Sequence, residues 1–130
     1  APAVLAMALA PFPVDAGEAQ SLAAAIAAGG IWRTDVLEAR FVLGDARETL
    51  PIWAGQADAW FLDGFAPARN PELWEPRLLR QVARHTAPGG TAAPYSAAGA
   101  VRRALTEAGF DVSLRAVFGR KLHMTVARLP

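Results

Sequence analysis

Polar residues follow three apolar segments that have the composition of buried strands. They are Asp45 after residues 39–43, Asp63 after residues 57–62, and Tyr95 with Ser96 at the end of residues 91–95. Ligands of parallel α/β sheets bind at the carboxyl ends of the strands, so these side chains are expected to face one crevice. A carboxylate placed there can hydrogen-bond an ammonium group, orient it and help to remove its proton.

Each of these residues also has a purely local structural explanation. Asp63 and Gly64 form a common turn pair. Asp45 together with Glu48 fits the capping box that begins a helix, and Ser96 can cap the helix expected after it. The residue types alone leave both explanations open.

The composition predicts one folded domain. The chain has 130 residues, of which 53% are apolar and 19% are charged, so it can bury a core and is not of the disordered class. The absence of cysteine excludes a disulfide framework and a thiolate metal site. His85 and His123 have no partner at metal or triad spacing, so no metal site is predicted.

No apolar run has the length of about 20 residues that a membrane-spanning helix needs. Residues 1–14 are apolar, but they lack a basic start and contain Pro11 and Pro13, so a buried strand over residues 4–9 is favoured over a signal peptide. A protein without a membrane segment is predicted.

The charge is unevenly distributed along the chain. Residues 1–65 hold three basic and eight acidic residues, a net charge of −5, whereas residues 66–130 hold ten basic and four acidic residues, a net charge of +6. The basic second half is compatible with a polyanionic partner on that side of the protein. It is equally compatible with a solvated, arginine-rich surface.

The spacing of apolar residues and the positions of glycine, proline and capping residues predict alternating strands and helices. The predicted elements are a strand over 4–9, a helix over 15–28, a strand over 39–43, a helical turn over 45–50, a strand covered on both faces over 57–62, a helix over 70–83 capped by Asn70, a strand over 91–95, a helix over 97–108, and strands over 110–117 and 122–127. Such alternation predicts an α/β fold with a parallel sheet. The last two strands are joined by a tight turn and must be antiparallel, as in Rossmann-like methyltransferases.

Four stretches of the sequence together resemble the methyltransferase domain of the MnmC family. The most specific is Asp58-Ala-Trp-Phe-Leu-Asp-Gly-Phe-Ala-Pro-Ala-Arg-Asn-Pro-Glu-Leu-Trp74. The others are residues 44–51, residues 88–91 with 95–105, and residues 118–124, which occur in the family's order. Members of this family methylate the aminomethyl group on the wobble uridine of certain tRNAs. The resemblance therefore implies an incomplete class I methyltransferase sheet that ends in an antiparallel hairpin.

The resemblance also implies roles for individual residues and partners. S-adenosylmethionine is the implied cofactor, with Asp45, the Ala46 backbone N–H and Asp63 beside it, and Asp63 is the implied catalytic residue. The implied substrate-binding residues are Phe65, Ala66, Pro67, Arg69, Tyr95, Ser96, Arg102, Arg103, Arg120 and Lys121. Trp74 is predicted to lie in the core. The implied setting is cytoplasmic with tRNA as partner, and FAD is implied only for a fused or separate oxidoreductase outside this chain.

Two features depart from the family pattern. No glycine-rich turn joins a strand to a helix, and Ala10 stands where family members place an acid that bonds the ribose of the cofactor. Residues 1–130 are therefore predicted to be the later part of a single methyltransferase domain without its first strand-turn-helix, with little or no activity alone. The alternatives left open are a degenerate relative that binds tRNA or a partner protein, and a methyltransferase for another substrate. The oligomeric state is left undetermined.

Overall fold

The computed structural model describes residues 15–96, 98–116 and 123–130. The predicted strand over residues 4–9, Ala10, Arg120 and Lys121 lie outside these described residues. Two units are present, one ending at Gly44 and the other comprising Asp45–Pro130. The prediction of a single methyltransferase domain stays a prediction.

The described elements follow the predicted alternation of helices and strands. They are α1 (Ala16–Ala28), β1 (Ile31–Arg33), β2 (Glu38–Arg40), α2 (Ala46–Thr49), β3 (Ala57–Leu62), a 3₁₀ helix (Pro71–Trp74), α3 (Pro76–Arg84), β4 (Thr86–Pro94), α4 (Gly99–Glu107), β5 (Asp111–Ala116) and β6 (His123–Arg128). None of the helices in the described part of the chain is both long enough and apolar enough to cross a membrane.

The first unit contains a capped helix and a short hairpin. Asp15 caps α1, since its Oδ1 accepts a hydrogen bond from the backbone N–H of Gly17 at 2.8 Å, and Gly29 ends the helix in the left-handed conformation with φ of 64°. Both helix ends agree with the predicted helix over 15–28. The strand predicted over 39–43 is instead the short β2, paired antiparallel with β1, which the sequence reasoning missed.

The second unit holds a four-stranded sheet in the order β3-β4-β6-β5. Strands β3 and β4 are parallel, and β6 is antiparallel to both β4 and β5. The β5–β6 pairing runs from Asp111 opposite Arg128 to Ala116 opposite His123. The predicted α/β sheet that ends in an antiparallel hairpin is therefore confirmed.

The single helix predicted over residues 70–83 is wrong, because the structure has two helices there. Pro76 has no N–H to donate and disfavours the helical conformation of the residue before it. Glu75 accordingly has φ of −61° and ψ of 140°, which separates the 3₁₀ helix from α3. The predicted cap is also wrong, since the side chain of Asn70 makes no capping hydrogen bond.

The strand predicted over residues 91–95 begins earlier, at Thr86. The pairing with β3 shifts from Ala57 opposite Thr86 to Ala59 opposite Thr91, so β4 carries extra residues in a bulge. Gly89 has φ of 77°, and a Cβ on Gly90 would lie 2.8 Å from the carbonyl oxygen of Ala87. The two glycines that were expected to follow a helix instead permit this bulge.

The prediction that Ser96 caps the next helix at its N-cap position is also wrong. Helix α4 has Ala98 at its N-cap, with no capping hydrogen bond from a side chain. The Ser96 hydroxyl accepts a hydrogen bond from the Ala98 N–H at 3.2 Å, which orders the turn before the helix. Ser96 thus acts on the approach to α4 rather than on its first turn.

Helices α3 and α4 pack on one face of the sheet. The core between them contains Leu79, Val101 and Leu105, together with Ala92 and Ala127 from the central strands. Strand β3 was predicted to be covered on both faces, and this is wrong. Its Trp60 and Leu62 pack against the core, but Phe61, on the opposite face, is 87% exposed.

Trp74 is buried, as predicted, and packs in the same core cluster. Its indole N–H donates a hydrogen bond to the carbonyl oxygen of Phe65 at 2.8 Å. The 3₁₀ helix that carries Trp74 is therefore tied to the loop that follows β3.

Thr125 leads to a stability prediction. Its side chain is fully buried in β6, and its hydroxyl has no hydrogen-bond partner among the described residues. An unpartnered buried hydroxyl opposes folding. Thr125→Val removes the hydroxyl and keeps the shape, so the free energy of unfolding is expected to rise by about 1 kcal/mol. Denaturation by urea measures it, and a decrease would mean that the hydroxyl has a partner in solution.

Candidate active site

The carboxyl ends of β3 and β4 bring two of the predicted site residues side by side. Leu62 lies opposite Pro94, and the backbone N–H of Tyr95 donates to the carbonyl oxygen of Leu62 at 3.1 Å. Asp63 and Tyr95 therefore leave the sheet at adjacent positions. This is the edge at which ligands of parallel sheets bind.

An apolar cleft of about 300 Å³ opens next to Asp63. Its walls include Ala46 from the start of α2, Phe61 and Gly64 beside Asp63, and Leu73 from the 3₁₀ helix. Two residues assigned to the cofactor from sequence, Ala46 and Asp63, thus share one cavity. Asp45 is not among the residues that form its walls.

The carboxylate of Asp63 is exposed and makes no hydrogen bond or ion pair with any residue that the structure describes. Its backbone N–H is held by the carbonyl oxygen of Phe61 at 3.1 Å. The backbone is therefore fixed while the acid group stays available. Such a group can accept a proton or a hydrogen bond from a ligand in the cleft.

The loop after Asp63 is held at several points along its backbone. Arg69 donates its backbone N–H to the carbonyl oxygen of Ala66 at 2.7 Å, and the Phe65 carbonyl accepts the Trp74 indole N–H. Gly64 lies so close to Leu73 that a Cβ would approach the leucine Cδ1 to 3.1 Å. The loop presents the Phe65 ring with 77% of its surface exposed.

Asn70, at the base of this loop, has a buried side-chain oxygen with no hydrogen-bond partner in the described part of the chain. Its backbone N–H donates to the Ala66 carbonyl oxygen at 3.1 Å. The side chain predicted to begin a helix is therefore partly buried, with its oxygen turned away from solvent. No sequence signal distinguishes this placement from a cap.

Asp45 caps α2, as the local reading of the sequence had it. Its Oδ1 accepts a hydrogen bond from the Arg47 backbone N–H at 2.8 Å, and its Oδ2 lies 2.6 Å from the Arg47 guanidinium. These hydrogen bonds lower the pKa of Asp45 from 3.8 to about 2. A ligand that used this carboxylate would have to compete with Arg47.

Titration of Asp45 provides a second prediction. Its pKa is lowered in the folded protein, so its stabilising interaction is fully present above pH 3.8 and is lost as the pH falls through about 2. The side chain of Arg47 is the first cause of this shift. In Arg47→Gln, the carboxyl carbon resonance of Asp45 is expected to titrate closer to pH 3.8. An unchanged midpoint would mean that Arg47 does not hold the carboxylate in solution.

The residues around the cleft fit the parts of S-adenosylmethionine. The apolar walls suit an adenine ring, and the backbone N–H of Ala46, at the first helical position, makes no hydrogen bond within the described residues. Asp63 offers a free acceptor to the same cleft. An apolar cavity with one donor and one acceptor can hold the adenosine part of the cofactor.

Arg102 and Arg103 lie in a different cavity from the one beside Asp63. They line an open groove of about 620 Å³ between α4 and β5, together with Ser113 and Leu114. The Nε of Arg102 is buried and has no hydrogen-bond partner among the described residues. The structure thus separates these two arginines from Asp63, and Arg120 and Lys121 lie outside the described residues.

His85 is part of an aromatic cluster at the start of β3. Its ring centroid is 5.5 Å from that of Trp53, which contacts Trp60 edge to face at 5.8 Å. The His85 Nδ1 lies 3.0 Å from the carbonyl oxygen of Gly55. Within the described ranges, no group of three His, Asp or Glu residues is arranged to hold a metal ion.

Known proteins with similar sequences carry the name of the family that the motifs resemble. The chain is 54% identical over 89 residues to the tRNA 5-methylaminomethyl-2-thiouridine biosynthesis bifunctional protein MnmC of Ralstonia nicotianae, covering 68% of this chain and 14% of that protein. It is 48% identical over 107 residues to the protein of the same name from a Caulobacter species, covering 79% of this chain and 18% of that protein. The chain thus spans less than a fifth of the length of either relative.

A solved structure shares the fold. The crystal structure of MNMC2 from Aquifex aeolicus superposes with a TM-score of 0.73 at 31% identity, over 91% of this chain and 38% of that one. Residues 20–130 match the model of a family described as S-adenosyl-L-methionine-dependent methyltransferase. The resemblance inferred from the motifs is confirmed, and the chain belongs to this family of S-adenosyl-L-methionine-dependent methyltransferases.

Proposed function

We propose that this chain, as part of a longer protein, methylates the aminomethyl group on the wobble uridine of tRNA. The observation that carries this proposal is the free carboxylate of Asp63 at the end of β3, over an apolar cleft shared with Ala46. The names of the relatives, which refer to tRNA 5-methylaminomethyl-2-thiouridine biosynthesis, support the choice of substrate. The proposed setting is the cytoplasm, with tRNA as the partner.

Asp63 acts on the substrate amine in this proposal. S-adenosylmethionine supplies an electrophilic methyl group on a sulfonium sulfur. Asp63 hydrogen-bonds the ammonium form of the aminomethyl group and accepts one of its protons, which frees the nitrogen lone pair. The new bond joins that nitrogen to the methyl carbon as the bond from carbon to sulfur breaks. The cleft fixes the alignment of the reacting atoms.

Ala46, at the start of α2, and Asp63 would hold the cofactor. The Ala46 N–H would donate a hydrogen bond to the adenine, and Asp45 would reach the cofactor only by sharing its carboxylate with Arg47. FAD enters only through a fused or separate oxidoreductase outside this chain. The word "bifunctional" in the names of the relatives supports a second activity in those proteins.

The exposed loop contacts the target base. Phe65 offers a ring on which an unstacked base can stack, and Ala66 with Pro67 completes the wall. Tyr95 and Ser96 lie at the neighbouring strand end. Arg69, which is exposed on the same loop, contacts a phosphate next to the base.

Arg102 and Arg103 contact RNA at a distance from the base. They line the groove between α4 and β5, away from the walls of the cleft. Arg120 and Lys121, which lie between β5 and β6 in the sequence, are proposed to contact RNA together with these two arginines. These four residues bind phosphates in the proposal, which makes binding depend on salt.

Single-turnover methyl transfer to two tRNAs tests the proposal. One tRNA carries an aminomethyl group on the wobble uridine, and the other carries an unmodified uridine at that position. Transfer to the first tRNA alone is expected from the native gene product, with little or no transfer by residues 1–130 alone. No transfer by the native gene product would favour a degenerate, binding-only relative. Equal transfer to both tRNAs would contradict the proposed substrate.

A further inference from the structure

The outer surface of α3 carries a row of three arginines. They are Arg77, Arg80 and Arg84, hereafter the α3 arginine row, and all three are exposed. Their spacing of three and four residues places them on one side of the helix, opposite Leu78, Leu79 and Val82, which are buried. The row spans eight residues, or about 10 Å of helix.

The charges of this row are not balanced within the helix. No acidic residue occurs in Pro76–Arg84, and no ion pair of these arginines is found among the described residues. Arg77 shares a cavity with Asp45, Arg47, Glu48 and Glu75, so acidic groups lie near it.

The row is unfavourable for the helix itself. Arg77 and Arg80 are like charges three residues apart, and Arg80 and Arg84 are like charges four residues apart, and both spacings bring side chains together. Arg77 also lies in the first turn, where the helix dipole disfavours a cation. Arg84, in the last turn, is favoured by the same dipole. Helix stability does not explain the two like-charged pairs, whereas an anionic ligand would relieve their repulsion.

The row lies on the helix that also lines the cleft. Leu78, Leu79 and Val82 form part of the wall of the cleft that contains Asp63, on the side of α3 opposite the row. The row is therefore carried by an element of the site without entering the cleft. We propose that the α3 arginine row binds the phosphate backbone of the RNA whose target base enters the cleft, which rests on the proposed function and extends its RNA-binding surface.

The chemistry of the row favours RNA over a protein partner. Protein interfaces have an apolar centre, and none of the large exposed apolar side chains of the described residues lies on α3. Guanidinium groups pair well with phosphate oxygens, often through two hydrogen bonds. A line of guanidinium groups without apolar neighbours matches a backbone of repeated phosphates.

The test compares variants of equal charge in RNA binding. The row variant carries Arg77→Gln, Arg80→Gln and Arg84→Gln, and the control variant carries Arg40→Gln, Arg115→Gln and Arg128→Gln at other exposed arginines. Binding of a labelled tRNA transcript and of an unrelated RNA duplex is followed by anisotropy between about 50 and 200 mM salt. A third variant with lysine at the three row positions keeps the charge.

The row variant is expected to lose roughly tenfold in affinity per arginine near about 0.1 M salt. The slope of log affinity against log salt concentration is expected to become shallower by about 2 to 3 in the row variant and by less in the control variant. The lysine variant is expected to keep the wild-type slope. The melting temperature of the row variant is expected to stay the same or rise, because two repulsive pairs are removed. A lower melting temperature would instead assign the row a structural role and overturn the inference.

Equal slopes in the row and control variants would overturn the inference, as would a wild-type chain that binds neither RNA. Binding of an acidic protein by the row, with no effect on RNA, would overturn it in favour of a protein partner. Failure of the proposed function has a different signature. In that case methyl transfer to the modified tRNA is absent while the loss of RNA binding in the row variant persists.

Discussion

Asp63→Asn is expected to lower the rate of methyl transfer by about 10²–10⁴-fold, the usual contribution of a positioned acid–base group. Asparagine has the shape of aspartate but cannot take up a proton from the substrate ammonium. The carboxylate has no partner within the described residues, so its replacement should leave the fold intact. Single-turnover transfer at saturating cofactor isolates the effect on the reaction from any effect on cofactor binding.

Asp58→Asn is the matched control for this experiment. Asp58 lies in β3, the strand that leads to Asp63, and is also exposed, but it is near the end of the strand that is far from Asp63. The control is expected to react at the wild-type rate. Similar losses in both variants, or none in either, would remove Asp63 from the proposed mechanism.

Trp74→Ala is expected to lower the free energy of unfolding by about 3–5 kcal/mol, as other large-to-small changes of buried tryptophan do. Trp74 is only 7% exposed and packs in the core cluster. Trp74→Phe keeps most of the apolar contact but removes the hydrogen bond to the Phe65 carbonyl oxygen. That smaller change is expected to cost about 1 kcal/mol and to loosen the loop between Asp63 and Asn70.

Urea denaturation and amide exchange of the loop measure these two effects. Trp53→Phe serves as the control, because Trp53 contacts aromatic rings at the other end of β3 and does not touch the loop. Faster exchange at Arg69 and Asn70 is expected in Trp74→Phe and not in the control. Equal exchange in both variants would show that the indole hydrogen bond does not hold the loop.

Sequence reasoning found the elements whose signals are local and unopposed. Asp15 and Gly29 bound α1 as predicted, because a carboxylate cap and a glycine in the left-handed conformation satisfy the helix ends without outside help. The strand over residues 57–62 has the predicted bounds, and its turn leads to Asp63 as expected. Burial of Trp74 followed from the spacing of apolar residues around it.

The errors arose where a second signal competed with the first. Pro76 interrupts the helix that the apolar spacing around it predicts, and the bulge at Gly89 extends a strand across residues that usually end one. The exposure of Phe61 depends on which elements pack on each face of the sheet, which is a property of the tertiary fold and not of the local sequence.

The site was predictable only in part for a similar reason. Residues at adjacent strand ends, such as Asp63 and Tyr95, are brought together by the sheet order of the fold class. The ion pair between Asp45 and Arg47 depends on the rotamer of the flexible arginine side chain, which the spacing of residues in the sequence does not determine.

Strand β3 has a paired neighbour on only one side among the described residues. Within the described residues, the backbone that leads to Asp63 is bonded to one neighbouring strand, while Ala92 and Ala127 lie in strands that are bonded on both sides. Local opening costs least where the fewest hydrogen bonds and apolar contacts must break. Among the described strands, the amides of the edge strands β3 and β5 should consequently lose protection before those of β4 and β6.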